Sequence, residues 1–300
     1  MEIRHLKTFA IAAKTGNFAK AAKQLCYAPS TVTAQIKLLE DELNIKLFDR
    51  LGKQVRLSRA GKTLAVYAQQ ILKLTEEAVN ATCGTSTQGA IAIGISESLA
   101  VIRLPEAFAS YRQQFPQSEI ELIFGPCSDF KDLLRKNIID VAILVDREIS
   151  DSDLIVEATY PETMFILCAS DHHLAQKQGG IGPDDLANEN LISENGCDYR
   201  RLLEGMLGEV GAQFRSVMAV SSLQAERQFT ASGLGVCLLA GTAVEEDLQE
   251  KRLVALPWAG PDFRIAVQIV YHKNKWISPA LRVFIDLARR ELERQEARIP

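Results

Sequence analysis

Histidine, tryptophan and methionine are scarce: four, two and four residues in 300. The histidine shortage leaves little material for histidine-based catalysis or metal binding. His172-His173 is the one histidine pair, and its neighbours Ser170-Asp171 and Leu174-Ala175 read as a polar surface loop. The six cysteines (Cys26, Cys83, Cys127, Cys168, Cys197, Cys237) are scattered, with no CxxC pair and no zinc spacing. They read as free thiols in a reducing compartment, mostly buried, with Cys197 also open to a redox-sensor reading at a helix start. No apolar run reaches bilayer length. The first 25 residues lack a signal-peptide core and a small-residue cleavage site, so a cytoplasmic location is expected. There is no P-loop, no nucleophile elbow and no dinucleotide fingerprint. The expectation is a non-enzyme without catalytic residue, metal or cofactor.

What is present is an uneven charge. The chain carries a net −4, yet residues 1–62 hold 12 basic and 5 acidic side chains, a balance of +7 against −11 for the remainder. A basic head on an acidic body suggests that only the head meets a polyanion. A length of 300 residues suits two or three domains.

The head resolves into helices. Leu6, Phe9, Ile11, Ala12 and Ala13 recur at roughly helical spacing until Thr15-Gly16-Asn17, where Gly16 suits a left-handed C-cap and Asn17 an N-cap. A short helix from Phe18 to Leu25 follows, then the connection Cys26-Tyr27-Ala28, then a third helix with Pro29 in its first turn and Asn44 at its end. Two helices joined by so tight a turn form a helix-turn-helix, here about residues 18–37. Val32, Ile36, Leu39 and Leu43 make the stripe expected to be buried. Pro29, Ser30, Thr31, Thr33, Ala34 and Lys37 lie at the N-terminus or on the opposite face. Short hydroxyls reach base edges, alanine touches a thymine methyl, and lysine meets phosphate or guanine. Residues 47–58 then alternate around a Gly-containing turn and read as a wing whose cations are Arg50, Lys53 and Arg56. Ser58 is placed to cap a long helix with a seam of Leu64, Tyr67, Ile71, Leu74, Ala78 and Ala81. That seam suits a dimer, and core packing against the chain's own body is its alternative.

At these residues the chain resembles the LysR-type transcriptional regulators. The likeness rests on Phe18, Ala21-Ala22-Lys23-Gln24-Leu25, Ser30 through Ile36, Leu39-Glu40, Leu43 through Arg50, and Leu57-Ser58-Arg59-Ala60-Gly61. Pro29, Ala34 and Asn44 depart from the usual glutamine, arginine and glycine. The resemblance implies a double-stranded operator, a small-molecule effector, and dimers that pair into tetramers, with RNA polymerase as a further candidate partner and no membrane. It also implies a body of two α/β lobes resembling type 2 periplasmic-binding proteins.

The body fits that expectation. Residues 59–88 read as linker helix and hinge, the hinge being the polar stretch 82–88. From Gly89, strands at Ala90–Ile95, Glu119–Phe124 and Asp140–Val145 alternate with helices near 104–115 and 129–136, the order of a doubly wound sheet. A second unit follows, with strands at 163–169, 190–192, 215–220, 235–239 and 252–256, and the chain closes with strand 265–271 and a helix after Pro279. Lobe I is expected at about 89–162 and 266–300, lobe II at about 163–265, with crossings near 163–169 and 265–271. Ligands of open α/β sheets bind beyond the carboxyl ends of strands. Those ends carry Ser96, Ser98, Ser128, Ser193, Glu194 and Ser222. Serines at helix starts favour a carboxylate-bearing effector, whereas Glu194, unless paired with Arg200 or Arg201, favours an amine. The two-lobed body alone also suits a solute-binding protein or an enzyme, but neither explains the basic head.

Overall fold

The computed structural model describes residues 1–51, 54–83, 90–194 and 198–296. Two compact units divide near residue 85.

The first unit holds α1 (Ile3–Thr15), α2 (Phe18–Leu25), α3 (Pro29–Leu43), the antiparallel pair β1 (Phe48–Leu51) and β2 (Gln54–Leu57), and α4 (Arg59–Cys83). Gly16 closes α1 in the left-handed conformation (φ 59°), and the Asn17 side chain accepts hydrogen bonds from the N–H groups of Ala19 and Lys20. Asn44 ends α3 in the same left-handed geometry (φ 49°). Phe9, Phe18 and Phe48 gather at ring separations of 5.4 and 5.2 Å, fixing the first strand of the wing against α1 and α2. Ser58 caps α4 by accepting from Gly61 N–H at 3.0 Å and donating to the Lys46 carbonyl at 2.7 Å. Gly61 is required there: a Cβ would stand 2.0 Å from the Leu47 carbonyl oxygen.

The second unit contains β3 (Ile91–Ile95), a π-helical turn (Leu99–Arg103), α5 (Pro105–Gln114), β4 (Ile120–Ile123), α6 (Cys127–Arg135), β5 (Val141–Arg147) and β6 (Leu154–Pro161). It continues with β7 (Met164–Ala169), α7 (Pro183–Leu186), β8 (Asn190–Glu194), α8 (Asp198–Glu209), β9 (Ser216–Val220), α9 (Leu223–Ala231), β10 (Cys237–Ala240), α10 (Gly241–Gln249), β11 (Leu253–Ala255), β12 (Ile265–His272) and α11 (Pro279–Glu296). One lobe is built on a five-stranded sheet of order β4-β3-β5-β12-β6. Its β4, β3 and β5 run parallel, as the alternation of strands and helices predicts, while β12 is antiparallel to both β5 and β6. The other lobe holds β10-β7-β11 and the parallel pair β8-β9.

Two expectations need correction. β6 has no counterpart in the sequence reading; it is an edge strand with mixed exposure, and lacks the continuous apolar run that marks β5. Strand 265–272 lies wholly in the first lobe's sheet and 164–169 wholly in the second's, so the chain changes lobes at short links beside Glu162 and just before Ile265. The first link is pinned by a buried pair in which Arg103 donates to Glu162 at 3.0 Å, while the Thr242 hydroxyl of the other lobe donates to the same oxygen at 3.5 Å. Arg103 is further held by donating from Nε to Gln295 at 2.8 Å, whereas the second Glu162 oxygen is buried without a partner and burial raises the carboxyl. The cysteines are also less uniform than expected: Cys168 and Cys237 are buried, Cys127 is half-buried and Cys26 is exposed, with Cys197 outside the described residues.

Candidate DNA-binding face and effector cleft

The DNA-facing candidates follow from how α3 is held. Val32, Ile36 and Leu39 are buried in the head's core, and this turns Ser30, Thr33, Ala34 and Lys37 outward to solvent. Pro29 is exposed at the helix start and Thr31 is half-buried beside it. Leu43 departs from the expected stripe: it is 41% exposed, because α3 reaches its C-cap one residue later, beyond the packed core. The Thr33 hydroxyl donates to the Pro29 carbonyl at 3.1 Å, so its outward oxygen is left as an acceptor. Arg56 is an exposed cation on β2, paired in register with Asp49. The Arg50 side chain and Lys53 fall outside what the structure describes.

Sequence reasoning gave Glu40 no role. It is buried at the end of α3 and accepts from the N–H groups of Leu47 (2.9 Å) and Phe48 (3.3 Å) and from Lys46 Nζ (2.8 Å). Burial opposes its charge, but these donors together hold its carboxyl below the ordinary range. The carboxylate thereby ties the reading helix to the wing. A lone glutamate within a polar helix gives no periodic signal of such a bond.

On α4 the expected seam divides. Tyr67 and Leu74 are 58% and 62% exposed, and Ala78 and Ala81 are exposed as well. Leu64 and Ile71 are half-buried against the head's own core, where Ala68 is fully buried.

In the body, the carboxyl ends of β3, β5, β8 and β10 surround a cavity of about 130 Å³ between the two lobes. Ser96, Ser98 and Glu194 line it together with Glu97 and Glu226. The Ser96 hydroxyl oxygen is buried there without a hydrogen-bond partner. Ser128 lines a neighbouring hollow with Lys131, Arg147 and Arg201, and Tyr199 borders both spaces. The structure does not bring Ser193 or Ser222 to the cavity wall. Ser193 is buried and donates to the Glu194 carbonyl at 3.4 Å, while Ser222 caps α9 through Ala225 N–H at 3.2 Å. Arg200 pairs with Glu204 at 2.8 Å within α8, not with Glu194. Burial and the nearby Glu97 raise the Glu194 carboxyl. Glu226 is only 3% exposed, and burial followed by the Glu194 charge pushes it up to about 8. The cavity wall is thus acidic, against the carboxylate ligand that the serines alone suggest. Glu97 stands between two candidate serines at the end of β3 but has no role on sequence grounds, and Glu226 escapes them because nothing local marks a helix glutamate as facing a cleft.

The histidine pair lies in the surface turn after β7, as expected, with an acidic neighbour that the sequence does not reveal. His172 and His173 present Nε2 to Glu189 at 3.4 and 3.0 Å, and these three form the one trio of metal-capable groups gathered within 4.8 Å among the described residues. His172 Nδ1 accepts from Leu174 N–H at 3.3 Å, which places its proton on Nε2 and removes that nitrogen as a metal donor.

Comparison with known proteins decides the family. Residues 3–62 match the family described as bacterial regulatory helix-turn-helix protein, lysR family, and residues 84–293 match the LysR substrate binding domain. The chain is a LysR-type transcriptional regulator. This regulator is 38% identical over 295 residues to the uncharacterized HTH-type transcriptional regulator YwqM of Bacillus subtilis, covering 97% of this chain and 99% of that one. It is 27% identical to the RuBisCO operon transcriptional regulator of Allochromatium vinosum, covering all of this chain and 99% of that one. Full-length OxyR from Pseudomonas aeruginosa superposes with a TM-score of 0.73 at 22% identity, covering 96% and 95% of the two chains. CbnR in complex with its target DNA superposes with a TM-score of 0.64 at 20% identity, covering 97% and 100%. The LysR regulator thus pairs a winged helix-turn-helix head with a two-lobed effector-binding domain. Among its described residues no helix is long and apolar enough to cross a membrane.

Proposed function

We propose that this LysR regulator reads operator DNA with Ser30, Thr33, Ala34 and Lys37 on α3, flanked by Pro29 and Thr31, while Arg56, Arg50 and Lys53 of the wing hold the backbone. The observation that carries the reading is the division of α3 into a buried apolar face and an exposed, small, polar face. Short side chains let the helix enter the major groove closely, and the cations add affinity that is independent of sequence. The regulator works as a homodimer joined along α4, with tetramers as its larger assembly, and acts in the cytoplasm where its DNA lies. It performs no catalysis. Its effector occupies the cavity lined by Ser96, Ser98 and Glu194, and the regulated output is a changed contact with DNA. Residues 1–58, 59–88 and 89–300 serve as head, linker and effector domain.

The test is fluorescence anisotropy of the full-length protein on random duplexes and on a site selected from a random pool. Selection should yield an interrupted palindrome bound at least tenfold tighter than random duplex. Failure to enrich any sequence would sink the reading.

A further inference from the structure

We propose that the effector is a small aliphatic amine, its ammonium group held by Glu97, Glu194 and Glu226 in the cavity between the lobes. The proposal rests on the reading of that cavity as the effector site and adds the ligand's chemistry.

Three carboxylates from three elements meet at one cavity: Glu97 beyond β3, Glu194 at the end of β8 and Glu226 on α9. No lysine, arginine or histidine lies among the described residues lining it. Two further observations bear on a hydrogen-bonding guest. The Ser96 hydroxyl oxygen is buried and unpartnered at the same wall. Glu226 is 97% buried, since its exposure is 3%, and its one described partner is Glu194 N–H at 3.2 Å, received on Oε2. Its Oε1 accepts nothing from the described residues and so is free to meet a guest. An ammonium group supplies three donors and the opposite charge.

A bare metal ion fits less well. Oxygens sharing a calcium-sized ion at roughly 2.3–2.6 Å gather within about 5 Å of one another. These three carboxylates form no such cluster; among the described residues the trio of His172, His173 and Glu189 is the one that does. Apolar wall is also present in Val145, Leu239 and Ala243, which suits a hydrocarbon body. A volume of about 130 Å³ limits the guest to a handful of non-hydrogen atoms.

Protonation gives the site a second signature. Glu226 shares its surroundings with Glu194 on β8, Glu97 beyond β3 and the Cys237 thiol on β10. With its carboxyl raised to about 8, Glu226 is neutral at pH 7 in the empty site. Binding of an alkylammonium ion then displaces the carboxyl proton to solvent, leaving carboxylate and ammonium paired. Affinity should therefore rise close to tenfold between pH 6 and pH 7.

The experiment is thermal unfolding of the full-length protein with n-butylamine or 1,4-diaminobutane, set against butanoate, 1-butanol and calcium chloride at equal concentration. A native-state ligand raises the melting temperature. The amines should do so, more strongly at pH 8 than at pH 6, and the other three should not. Glu97→Gln and Glu226→Gln, close to isosteric, should each weaken the amine effect at least tenfold in concentration. A shift by butanoate or calcium instead, an amine shift unchanged in both variants, or no amine shift at all overturns the proposal. Ala243→Phe, first shown to fold by circular dichroism, separates the two levels. A butanoate shift that Ala243→Phe abolishes removes the amine and leaves the cavity as effector site. An amine shift indifferent to Ala243→Phe removes both.

Discussion

Glu97 of one lobe accepts a hydrogen bond from the backbone N–H of Leu223 in the other, at 3.5 Å. Leu223 opens α9, so the carboxylate sits at a helix N-terminus, where unpaired N–H groups and the helix dipole favour negative charge. Glu226 lies in the first turn of the same helix but is only 3% exposed. Its Oε2 takes the Glu194 N–H, and burial beside Glu194 leaves its charge unfavourable. Two carboxylates from different lobes thus meet the first turn of α9, one bonded to its opening N–H and the other buried beside Glu194.

The burial of Glu226 sets a pH dependence. Glu226 has a folded pKa of about 8 against an ordinary 4.5, so the native state holds a proton that the unfolded chain releases. Its contribution to stability is complete below the unfolded value and is lost as pH rises towards 8, on the order of 3 kcal/mol by pH 7. Glu226→Gln removes the titration. The variant should unfold at a higher urea concentration than wild type at pH 7.5, and the two should converge near pH 4.5. Parallel pH profiles for the two proteins would show that Glu226 is not the titrating group.

The DNA face divides by chemistry. Lys37→Ala and Arg56→Ala should weaken binding to selected and random duplex alike, and lower the slope of log affinity against log salt by about one per lost phosphate contact. Ser30→Ala and Thr33→Ala should weaken the selected site by roughly 1–3 kcal/mol and leave random duplex almost unchanged. Thr33 offers an acceptor, because its proton is given to Pro29. Thr33→Val should therefore lose as much as Thr33→Ala. Equal losses on both DNA types from all of these changes would contradict the assignment.

Elements set by local rules were legible in the sequence. Gly16, Asn17, Asn44 and Ser58 announce helix ends through backbone preferences that need no tertiary partner, and all four act as caps. The buried run Val141–Val145 likewise marks β5 as a central strand. Long-range relations were not legible. Glu40, Glu97 and Glu226 are ordinary helix or loop glutamates until the fold brings donors or other carboxylates to them. Strand position alone does not say which of the candidate serines turn inward. Ser96 and Ser98 reach the cavity, whereas Ser222 is used by its own helix.

Glu40 makes the wing's position depend on one carboxylate. Glu40→Ala leaves the buried N–H groups of Leu47 and Phe48 without acceptors, which should destabilise the head by about 1–3 kcal/mol. Glu40→Gln retains an acceptor and should lose less. Because the folded carboxyl is held below its ordinary range, this stabilisation is present above the unfolded pKa and is lost as pH falls through the folded value. Urea melts of residues 1–83 within the full chain, followed by hydrogen exchange at Leu47 and Phe48, would check it. Unchanged protection at both amides in Glu40→Ala would refute the tie.

The final expectation concerns α4. Leu64 and Ile71 are half-buried against the chain's own head, so truncating them should lower the melting temperature of each subunit. Tyr67 and Leu74 have no such partner core and stand 58% and 62% exposed. Seven residues separate them, which puts both on one side of the helix with Ala78 and Ala81. Burying a leucine side chain contributes roughly 1.5–3 kcal/mol, and a two-fold interface counts each substitution twice. Tyr67→Ala/Leu74→Ala should therefore raise the dimer dissociation constant by at least a hundredfold while sparing the fold of the subunit. Binding to a two-half-site operator should fall with it, since each half-site is then met by a separate monomer. Sedimentation velocity across a protein dilution series reads the first effect, and anisotropy on one and two half-sites reads the second. A double variant that sediments as the wild type does would assign Tyr67 and Leu74 to exposed surface and move the dimer contact elsewhere.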